Sequence, residues 1–299
     1  MSSTTSAAAV VQPVVTTGPL EQRRPVRTRG QRRSTVSAYV LVAVVMFVFL
    51  FPLAFLANTA LKSTAEFAGN PMGLVTDPQW GNFAEAWSKG GFGAYIANSL
   101  LYTIAGAGIG TFIALVLGFP VSRGYLRGTR LWLSLFTVVL FLPNALITQF
   151  QLLLRLGLYD SRLGYICMVA AGVGVGPLLY HGAIKAIPRE LDEAASLDGI
   201  GYWRYLFTFV APLTKPALTT VFLLQAVWIW NEIILATVLL PDQTKAPLTL
   251  GLFNFQGTYS NQWGLLAAAT VIVAAPLIVA YVFLQRYLVA GVLGGSVKG

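Results

Sequence analysis

Long stretches without a charged residue are the feature that most limits how this chain can fold. They cover residues 34–61, 90–122, 131–154, 163–184, 216–231 and 246–285. A helix needs roughly 20 mostly apolar residues to cross the hydrocarbon core of a bilayer. The fifth stretch continues as an apolar pattern past Glu232, and the sixth begins as a loop that becomes apolar from about Leu265. The sequence therefore predicts an all-α, polytopic membrane protein with six transmembrane helices.

The amino-acid composition supports a membrane protein and excludes other classes. Only 10% of the 299 residues are charged, whereas 56% are hydrophobic. An ordinary soluble domain has about 25% charged residues, so few charges could not cover the surface of a soluble enzyme of this size. A single cysteine excludes an internal disulfide, and a single histidine excludes a Cys/His metal site. We expect no metal and no cofactor in this chain.

The distribution of Lys and Arg predicts the orientation of the chain. The formal net charge is +9, and six arginines between residues 23 and 33 precede the first apolar stretch. This arrangement is typical of the positive-inside rule rather than of a nucleic-acid-binding protein. With six crossings and the N-terminus inside, fifteen basic residues lie on the cytoplasmic side and five on the external side. Both termini are therefore predicted to be cytoplasmic.

The sequence divides into four parts. Residues 1–34 are predicted to form a disordered basic cytoplasmic tail, and residues 35–93 the first transmembrane helix with an external loop. Residues 94–290 are predicted to be the transmembrane core, and residues 291–299 a glycine-rich cytoplasmic tail. The first apolar stretch exceeds the 7–15 residues of a signal-peptide core, so we expect an uncleaved membrane helix.

The segment between the fourth and fifth predicted helices carries the clearest pattern. Pro188 and the acidic residues after it favour the start of a helix, and Gly199 favours its end, so a short helix is predicted over residues 188–199. One face of this helix collects residues at i, i+3, i+4 and i+7, namely Leu191, Ala194, Ala195 and Asp198. An ordinary interhelical loop is the alternative.

Residues 193–212 resemble the EAA motif of bacterial ABC-importer permeases. Glu193-Ala194-Ala195 is followed three residues later by Gly199, and then by Phe209 and Pro212. The family usually ends this motif with I-x-L-P, whereas Phe209 and Ala211 take the aliphatic positions here. In that family the segment is a coupling helix that docks into a cleft of an ATPase subunit. The resemblance implies an ATPase-coupling role for Leu191, Glu193, Ala194, Ala195, Asp198 and Gly199.

Other stretches are similar to the carbohydrate branch of these permeases, in particular to the second permease of maltose-type systems. They are Asn98-Ser99-Leu100, Trp230-Asn231-Glu232, the QRYLV run at 285–289 and the GGSVKG end at 294–299. The resemblance implies the ABC importer type I permease fold in the bacterial cytoplasmic membrane. It implies a carbohydrate substrate and three kinds of partner: a second permease, two ATPase subunits or domains, and an extracytoplasmic sugar-binding protein.

The chain is expected to be a transporter subunit and not an enzyme. No lysine follows a G-x-x-x-x-G pattern, so a Walker A loop is missing, and ATP and Mg are expected in a partner chain. An ion-coupled secondary transporter of a small polar solute is the alternative function. Such transporters usually carry ionisable residues at mid-membrane depth, and Glu232, near the outer end of the fifth helix, is the candidate.

Aromatic rings and amides mark candidate residues for a sugar pathway, because sugars bind to ring faces and to hydrogen-bonding groups. The candidates are Asn144, Gln149, Gln225, Trp228, Asn231 and Glu232. Gln225, Trp228 and Glu232 are spaced i, i+3 and i+7 and share a face. The alternative is that the tryptophans form an interfacial belt and the amides join helices. A further alternative is that the first permease carries most sugar contacts.

Two predicted external loops are long, residues 62–93 and 241–263. By resemblance, the second loop reaches into the sugar cleft of the binding protein. Its candidate contacts are Phe255, Gln256, Tyr259 and Asn261. The alternatives are an ordinary solvated loop, or rings that pack on the ends of the fifth and sixth helices.

Overall fold

The computed structural model describes residues 29–142, 145–172, 175–259 and 261–294, and every regular element in these ranges is helical. The helices are α1 (Arg29–Ala60), α2 (Thr64–Gly69), α3 (Gly81–Gly90), α4 (Phe92–Arg123), α5 (Thr129–Val139), α6 (Leu146–Arg155), α7 (Arg162–Ala171), α8 (Val175–Lys185), α9 (Glu190–Leu197), α10 (Tyr202–Tyr205), α11 (Ala211–Leu213), α12 (Lys215–Asn231), α13 (Ile234–Leu239), α14 (Leu248–Thr258) and α15 (Trp263–Gly294). A π-helical turn, Leu206–Val210, joins α10 to α11, and a 3₁₀ turn, Gln243–Lys245, precedes α14. The predicted pathway residue Asn144 and most of both predicted tails, residues 1–28 and 295–299, lie outside the described residues.

The chain divides into two compact units, Met1–Pro52 and Leu53–Gly299. In the first unit, the described residues belong to α1. Its side chains from Tyr39 to Phe51 are almost all apolar, and all of them are exposed. A helix that is apolar on every side suits a lipid environment, as the sequence predicts for the first membrane helix.

The described helices do not confirm the predicted number of six membrane spans. By length and composition, three of the described helices can each cross a membrane: Ala38–Ala60 within α1, the whole of α4, and Trp263–Val282 within α15. Two helix pairs raise the number to five if each pair is one span, namely α7 with α8 and Tyr202–Leu213 with α12. The third predicted span, residues 131–154, contains the two shorter helices α5 and α6. Six spans therefore remain a prediction.

Helix α4 is the central element of the second unit. It packs against α7, α8 and α12, and against α14 near its start. Gly106 permits this packing, because a Cβ atom at this position would lie 2.8 Å from both Val169 of α7 and Ile229 of α12. Small residues allow helix backbones to approach closely where lipid surrounds the bundle.

The two ends of α4 define two further regions. Its first residue, Phe92, packs against α14, and its last residue, Arg123, bonds to the segment around α9. A helix of 32 residues is about 48 Å long, so these regions lie far apart. We call them the α14 end and the α9 end.

The helical content of two segments differs from the prediction: one contains an additional helix, and the other contains a shorter helix than expected. The predicted loop at residues 241–263 contains α14, which begins after Pro247 and buries Leu248, Leu250 and Phe255. The predicted helix at residues 188–199 is shorter, because Pro188 lies before the first helical residue and Gly199 has a left-handed φ of 68°. Beyond it, the chain turns by 82° between Tyr202–Leu213 and α12, whose first turn holds Pro216.

Candidate functional site: a central cavity and the two ends of α4

A cavity of 740 Å³ opens among α5, α6, α7, α8, α12 and α13. Its walls are mostly apolar. Four of the six predicted pathway residues line it, namely Gln149, Gln225, Trp228 and Glu232. The structure therefore brings together residues from α6, from α12 and from the position directly after α12.

Asn231 does not belong to this set. It is exposed, and its side-chain amide donates a hydrogen bond of 2.8 Å to the carbonyl oxygen of Val227 in its own helix. Gln225, Trp228 and Glu232 share a face, whereas a residue six positions after Gln225 points about 120° away from it. Asn231 is thus an exposed residue of α12 that does not line this cavity, and its place in the sugar pathway stays a prediction.

Gln225 has a double role in the packing of the bundle. Its side chain is buried, and its Nε2 atom lies 3.5 Å from the carbonyl oxygens of Val169 and Ala170 at the end of α7. A Cβ atom at Gly110 of α4 would overlap the Gln225 amide. Bonds of this length are weak, so Gln225 joins helices and keeps hydrogen-bonding capacity for a ligand.

Gln149 and Glu232 add polar side chains to the lining of the cavity. The Oε1 atom of Gln149 is buried and has no hydrogen-bond partner among the described residues. Glu232 Oε1 accepts a hydrogen bond of 2.8 Å from the backbone N–H of Leu235, so one carboxylate oxygen caps the start of α13. The described lining contains no lysine or arginine. The second carboxylate oxygen of Glu232 suits a hydroxyl group of a neutral polyhydroxylated ligand, because a hydroxyl donates to such an acceptor.

Trp228 provides an aromatic wall to the cavity. Its side chain is 43% exposed, so its ring remains open to a ligand. On one side the ring approaches Gly172 at the end of α7, where an added Cβ atom would lie 3.0 Å from the ring. Aromatic rings pack well against the apolar faces of other rings and stack with a defined geometry.

At the α9 end, most of the predicted coupling residues are exposed. Leu191 is 44% exposed, and Glu193, Ala194 and Asp198 are also exposed. Leu197, which the sequence analysis did not select, is 89% exposed. Exposed leucines on a short helix form an apolar surface that is open to another molecule.

Ala195 departs from the predicted exposed face. It is buried in a cluster with Ile184, Leu206 and Val210. One side of the predicted face of α9 therefore packs against the same chain, and only the remaining residues of that face are available to a partner. Helical spacing identified a face, whereas the packing of α9 against α8 and the π-helical turn decides which part of it is covered.

Gly199 ends α9 in the way that its position predicts. Its φ is 68°, the backbone N–H of Gly199 bonds to the oxygen of Ser196 at 3.1 Å, and the N–H of Ile200 bonds to the oxygen of Ala195 at 2.9 Å. This pair of bonds is the Schellman motif, which satisfies the last carbonyl groups of a helix.

Replacement of Gly199 by valine is expected to open this end of α9. A left-handed conformation costs a residue with a side chain roughly 1–2 kcal/mol, and no neighbouring atom lies within 4 Å to resist a local change. We expect trypsin to cleave the solubilised protein at Arg189 and Arg204 about tenfold faster, because cleavage follows the population of the open form. Gly199→Asn is the matched control, since asparagine tolerates this conformation. Equal cleavage of the valine variant and the unchanged protein would contradict the role of the cap.

Asp192 is a residue of the α9 end that no sequence pattern marks as part of a site. Its carboxylate lies 2.7 Å from Nε of Arg123 at the end of α4, and it accepts hydrogen bonds from the hydroxyls of Tyr205 at 2.5 Å and Tyr125 at 3.3 Å. Burial and the neighbouring Asp192 carboxylate both raise the pKa of Tyr125. In the sequence, Arg123 reads as one more basic residue of a cytoplasmic loop, so the contact with Asp192 could not be predicted from it.

At the α14 end, three polar side chains at the start of α4 hold the 3₁₀ turn and α14. Asn98 donates to the oxygens of Thr244 at 2.9 Å and Ala246 at 3.0 Å, and Ser99 accepts from the backbone N–H of Leu248 at 2.8 Å. The hydroxyl of Tyr102 donates to the oxygen of Lys245 at 2.6 Å. The Asn-Ser-Leu stretch is therefore an anchor for the segment that follows α13.

Lys245 forms two ion pairs in the same region. Its Nζ atom lies 3.0 Å from Asp160 and 3.1 Å from Asp242. Hydrogen bonds from the backbone N–H and hydroxyl of Thr244, together with Lys245, lower the pKa of Asp242 to about 2, and the bond to Asp160 raises the pKa of Lys245. Because the folded pKa of Asp242 is lowered, its stabilisation is present above pH 3.8 and is lost as the pH falls towards 2.

The predicted contacts with a binding protein separate into two groups. Phe255 is buried, and its ring lies 5.5 Å from Phe92 and 4.5 Å from Tyr259, so the prediction of a contact residue is corrected to a core residue. Tyr259 is half-buried. Gln256 and Asn261 are exposed and remain candidates for contact with another protein. Phe255 is buried because this segment forms the helix α14, and one side of that helix packs against the rest of the chain.

Curated relatives match nearly the whole chain. The melibiose/raffinose/stachyose import permease protein MelC of Bacillus subtilis is 29% identical over 284 residues, covering 92% of this chain and 100% of the relative. The diacetylchitobiose uptake system permease protein DasC of Streptomyces coelicolor is 29% identical over 267 residues, covering 87% of this chain and 96% of the relative.

The fold is similar to that of solved transporters. A bacterial ABC transporter involved in the import of the acidic polysaccharide alginate matches with a TM-score of 0.76 and 24% identity, covering 88% of this chain and 99% of that chain. A second structure, of the alginate transporter in complex with an alginate pentasaccharide-bound periplasmic protein, gives a TM-score of 0.59 and 17% identity, covering 86% and 94%. Residues 106–294, more than half of the chain, match the family described as "binding-protein-dependent transport system inner membrane component". The protein belongs to this family of inner-membrane permease subunits.

Proposed function

We propose that this chain is a permease subunit of an ATP-driven sugar importer. The observation that carries the proposal is the exposed helix α9, which bears the EAA sequence and is joined through Asp192 to the end of the central helix α4. A secondary transporter has no use for such a docking helix. Membership of the family and relatives named as sugar permeases support the same function.

The cavity supports a sugar as the substrate. Trp228 offers a ring, and Gln149, Gln225 and Glu232 offer hydrogen-bonding groups within one space of 740 Å³. Small-molecule sites are typically mostly apolar with a few polar groups, and their volumes are about 300–1,000 Å³. The cavity would form a translocation pathway together with a second permease of the same family.

The partners follow from this function. The α9 end would face the cytoplasm, where exposed Leu191, Glu193 and Leu197 would meet an ATPase subunit that binds ATP and Mg. The α14 end would face outward, where an extracytoplasmic sugar-binding protein would deliver the substrate. The basic residues near α9 and on the chain after α4 support this orientation by the positive-inside rule.

The test is uptake of labelled neutral oligosaccharides by proteoliposomes that contain this chain together with its second permease, ATPase and binding protein. We expect uptake that needs ATP and the binding protein, and that stops when the Walker A lysine of the ATPase is replaced. Uptake without ATP, driven by an imposed proton or sodium gradient, would support the secondary-transporter alternative instead.

Gln256 and Asn261 at the α14 end allow a separate test of the contact with the binding protein. Replacing both with alanine removes two side chains from the contact with the binding protein. We expect stimulation of ATP hydrolysis by the binding protein to fall about tenfold, which corresponds to a loss of about 1.4 kcal/mol of binding free energy. Basal hydrolysis should stay unchanged, because both side chains are exposed. Phe255→Ala is the contrasting variant, and it should reduce the yield of folded protein because the ring is buried. Unchanged stimulation in the double alanine variant would contradict the contact.

A further inference from the structure

Asp192 is the point at which three elements of the α9 end meet. Nη2 of Arg123 donates a hydrogen bond of 3.1 Å to one oxygen of Asp192, and Nε of Arg123 lies 2.7 Å from the other oxygen as an ion-pair contact. The same carboxylate accepts the hydroxyls of Tyr205 in α10 and Tyr125 after α4. Arg123 also donates through Nη1 to the carbonyl oxygen of Ile187 at 3.0 Å, immediately before the segment that leads into α9.

This ion pair differs from the other charges of α9 in its burial. The side chains of Arg123 and Asp192 are 3% and 11% exposed, whereas Glu190 and Glu193 on the same helix are exposed. A buried ion pair that is also hydrogen-bonded holds its two partners together, and removing one partner leaves an uncompensated buried charge. The contact therefore fixes the position of α9 relative to α4.

Helix α4 continues from this contact to the cavity. Gly106 and Gly110 touch α7 and α12 so closely that an added Cβ atom would collide with Val169, Ile229 or the amide of Gln225. Gln225 and its neighbours in α12 line the cavity. A displacement of the α9 end of α4 thus reaches the cavity through rigid packing, without a mobile loop in between.

We propose that Asp192 is a positioning residue that passes movement of α9 to α4, and through α4 to the helices around the cavity. The proposal rests on the function proposed above, in which a partner ATPase moves the exposed side of α9. Asp192 does not face that partner. It acts from the inner side of α9, where a rigid contact is needed for a push on the exposed side to move the bundle.

The test uses the assembled transporter in proteoliposomes and measures the sugar taken up per ATP hydrolysed. Asp192→Asn keeps the size of the side chain and removes its charge. We expect this ratio to fall at least about tenfold, a typical size for energetic coupling between two sites. Glu190→Gln is the matched control, because it removes the same charge from an exposed position of the same helix and should keep the ratio of the unchanged protein.

The double variant Arg123→Gln/Asp192→Asn separates positioning from folding. It removes both charges, so no unpaired buried charge remains and the complex should assemble in nearly normal amounts. We expect it to stay uncoupled, with ATP hydrolysis retained and uptake lost. A merely structural role would lower hydrolysis and uptake together and leave their ratio unchanged.

Two outcomes would overturn this proposal. One is a normal ratio in the double variant, and the other is an equal loss in Glu190→Gln and Asp192→Asn. Failure of the proposed function has a different signature, since the unchanged protein itself would then show no ATP-dependent uptake in the same proteoliposomes.

Discussion

Replacing Trp228 with alanine is expected to lower the rate of sugar uptake about 30-fold. The ring lines the cavity and is 43% exposed, so a sugar can lie against it and bury its face. Loss of that burial costs about 2 kcal/mol, which corresponds to a factor of about 30 in affinity. The measurement is the initial uptake rate at a sugar concentration below saturation, with the amount of assembled complex determined on the same preparation.

The matched control is Trp132→Ala in α5. Trp132 is 40% exposed, close to the value for Trp228, and is not among the described residues that line the cavity. Trp228→Phe should retain part of the rate, because a smaller ring keeps a flat apolar face. If Trp228→Ala and Trp132→Ala lower uptake equally, the tryptophans act as an interfacial belt and the ring is no part of the pathway.

The cavity shows what helical spacing alone predicts well. Among the candidates, Gln225, Trp228 and Glu232 share a face by their spacing, and the structure places all three at one cavity. The same periodicity would have excluded Asn231, which was selected for its residue type although it lies on another side of α12. The residue types therefore indicate candidates for the sugar pathway, and the angular position around the helix determines which of them line the cavity.

Burial is the property that spacing predicts poorly. Ala195 and Phe255 both belong to patterns that indicated contact with another protein, yet both are buried within this chain. An apolar face of a helix can pack either against the core of its own chain or against a partner. Neither the spacing of the residues nor their type distinguishes these two cases. Tertiary contacts of α9 with α8, and of α14 with α4, decide these cases.

Asp192 and Arg123 illustrate a second limit. They are 69 residues apart and meet only because α4 ends beside α9. In the sequence, Asp192 reads as one of several acids that suit a helix N-terminus. The arginine and the two tyrosines that contact Asp192 lie outside α9. Only the fold therefore reveals that the Asp192 side chain is largely buried, whereas the other acidic residues of α9 are exposed.

Replacement of Gly264 by alanine is expected to destabilise the protein strongly. Gly264 is buried near the start of α15, and an added Cβ atom would overlap the backbone carbonyl oxygen of Lys62. Because the obstacle is backbone, a side-chain rotation cannot remove it. We expect a loss of about 3 kcal/mol, the upper part of the range for overpacking.

The Lys62 carbonyl cannot move away cheaply, because its segment is held on both sides. Asn82 donates to the oxygens of Ala60 at 2.8 Å and Lys62 at 3.0 Å. The Lys62 side chain is itself buried, and its ammonium group donates three hydrogen bonds, to the oxygens of Asn70, Pro71 and Gly73 at 2.6–3.1 Å. A shift large enough to admit a methyl group would break several of these bonds, and each buried group left unpaired adds its own cost.

The measurement is the thermal midpoint of the detergent-solubilised protein, followed by loss of monodisperse material. A cost of 3 kcal/mol should lower the midpoint by about 5 °C in a protein of this size. Gly257→Ala is the control, because Gly257 lies in α14 with no atom within 4 Å of an added Cβ, and alanine favours a helix over glycine. The two variants add the same methyl group and should move the midpoint in opposite directions, so a common shift would show that the Lys62 carbonyl does not limit the space at Gly264.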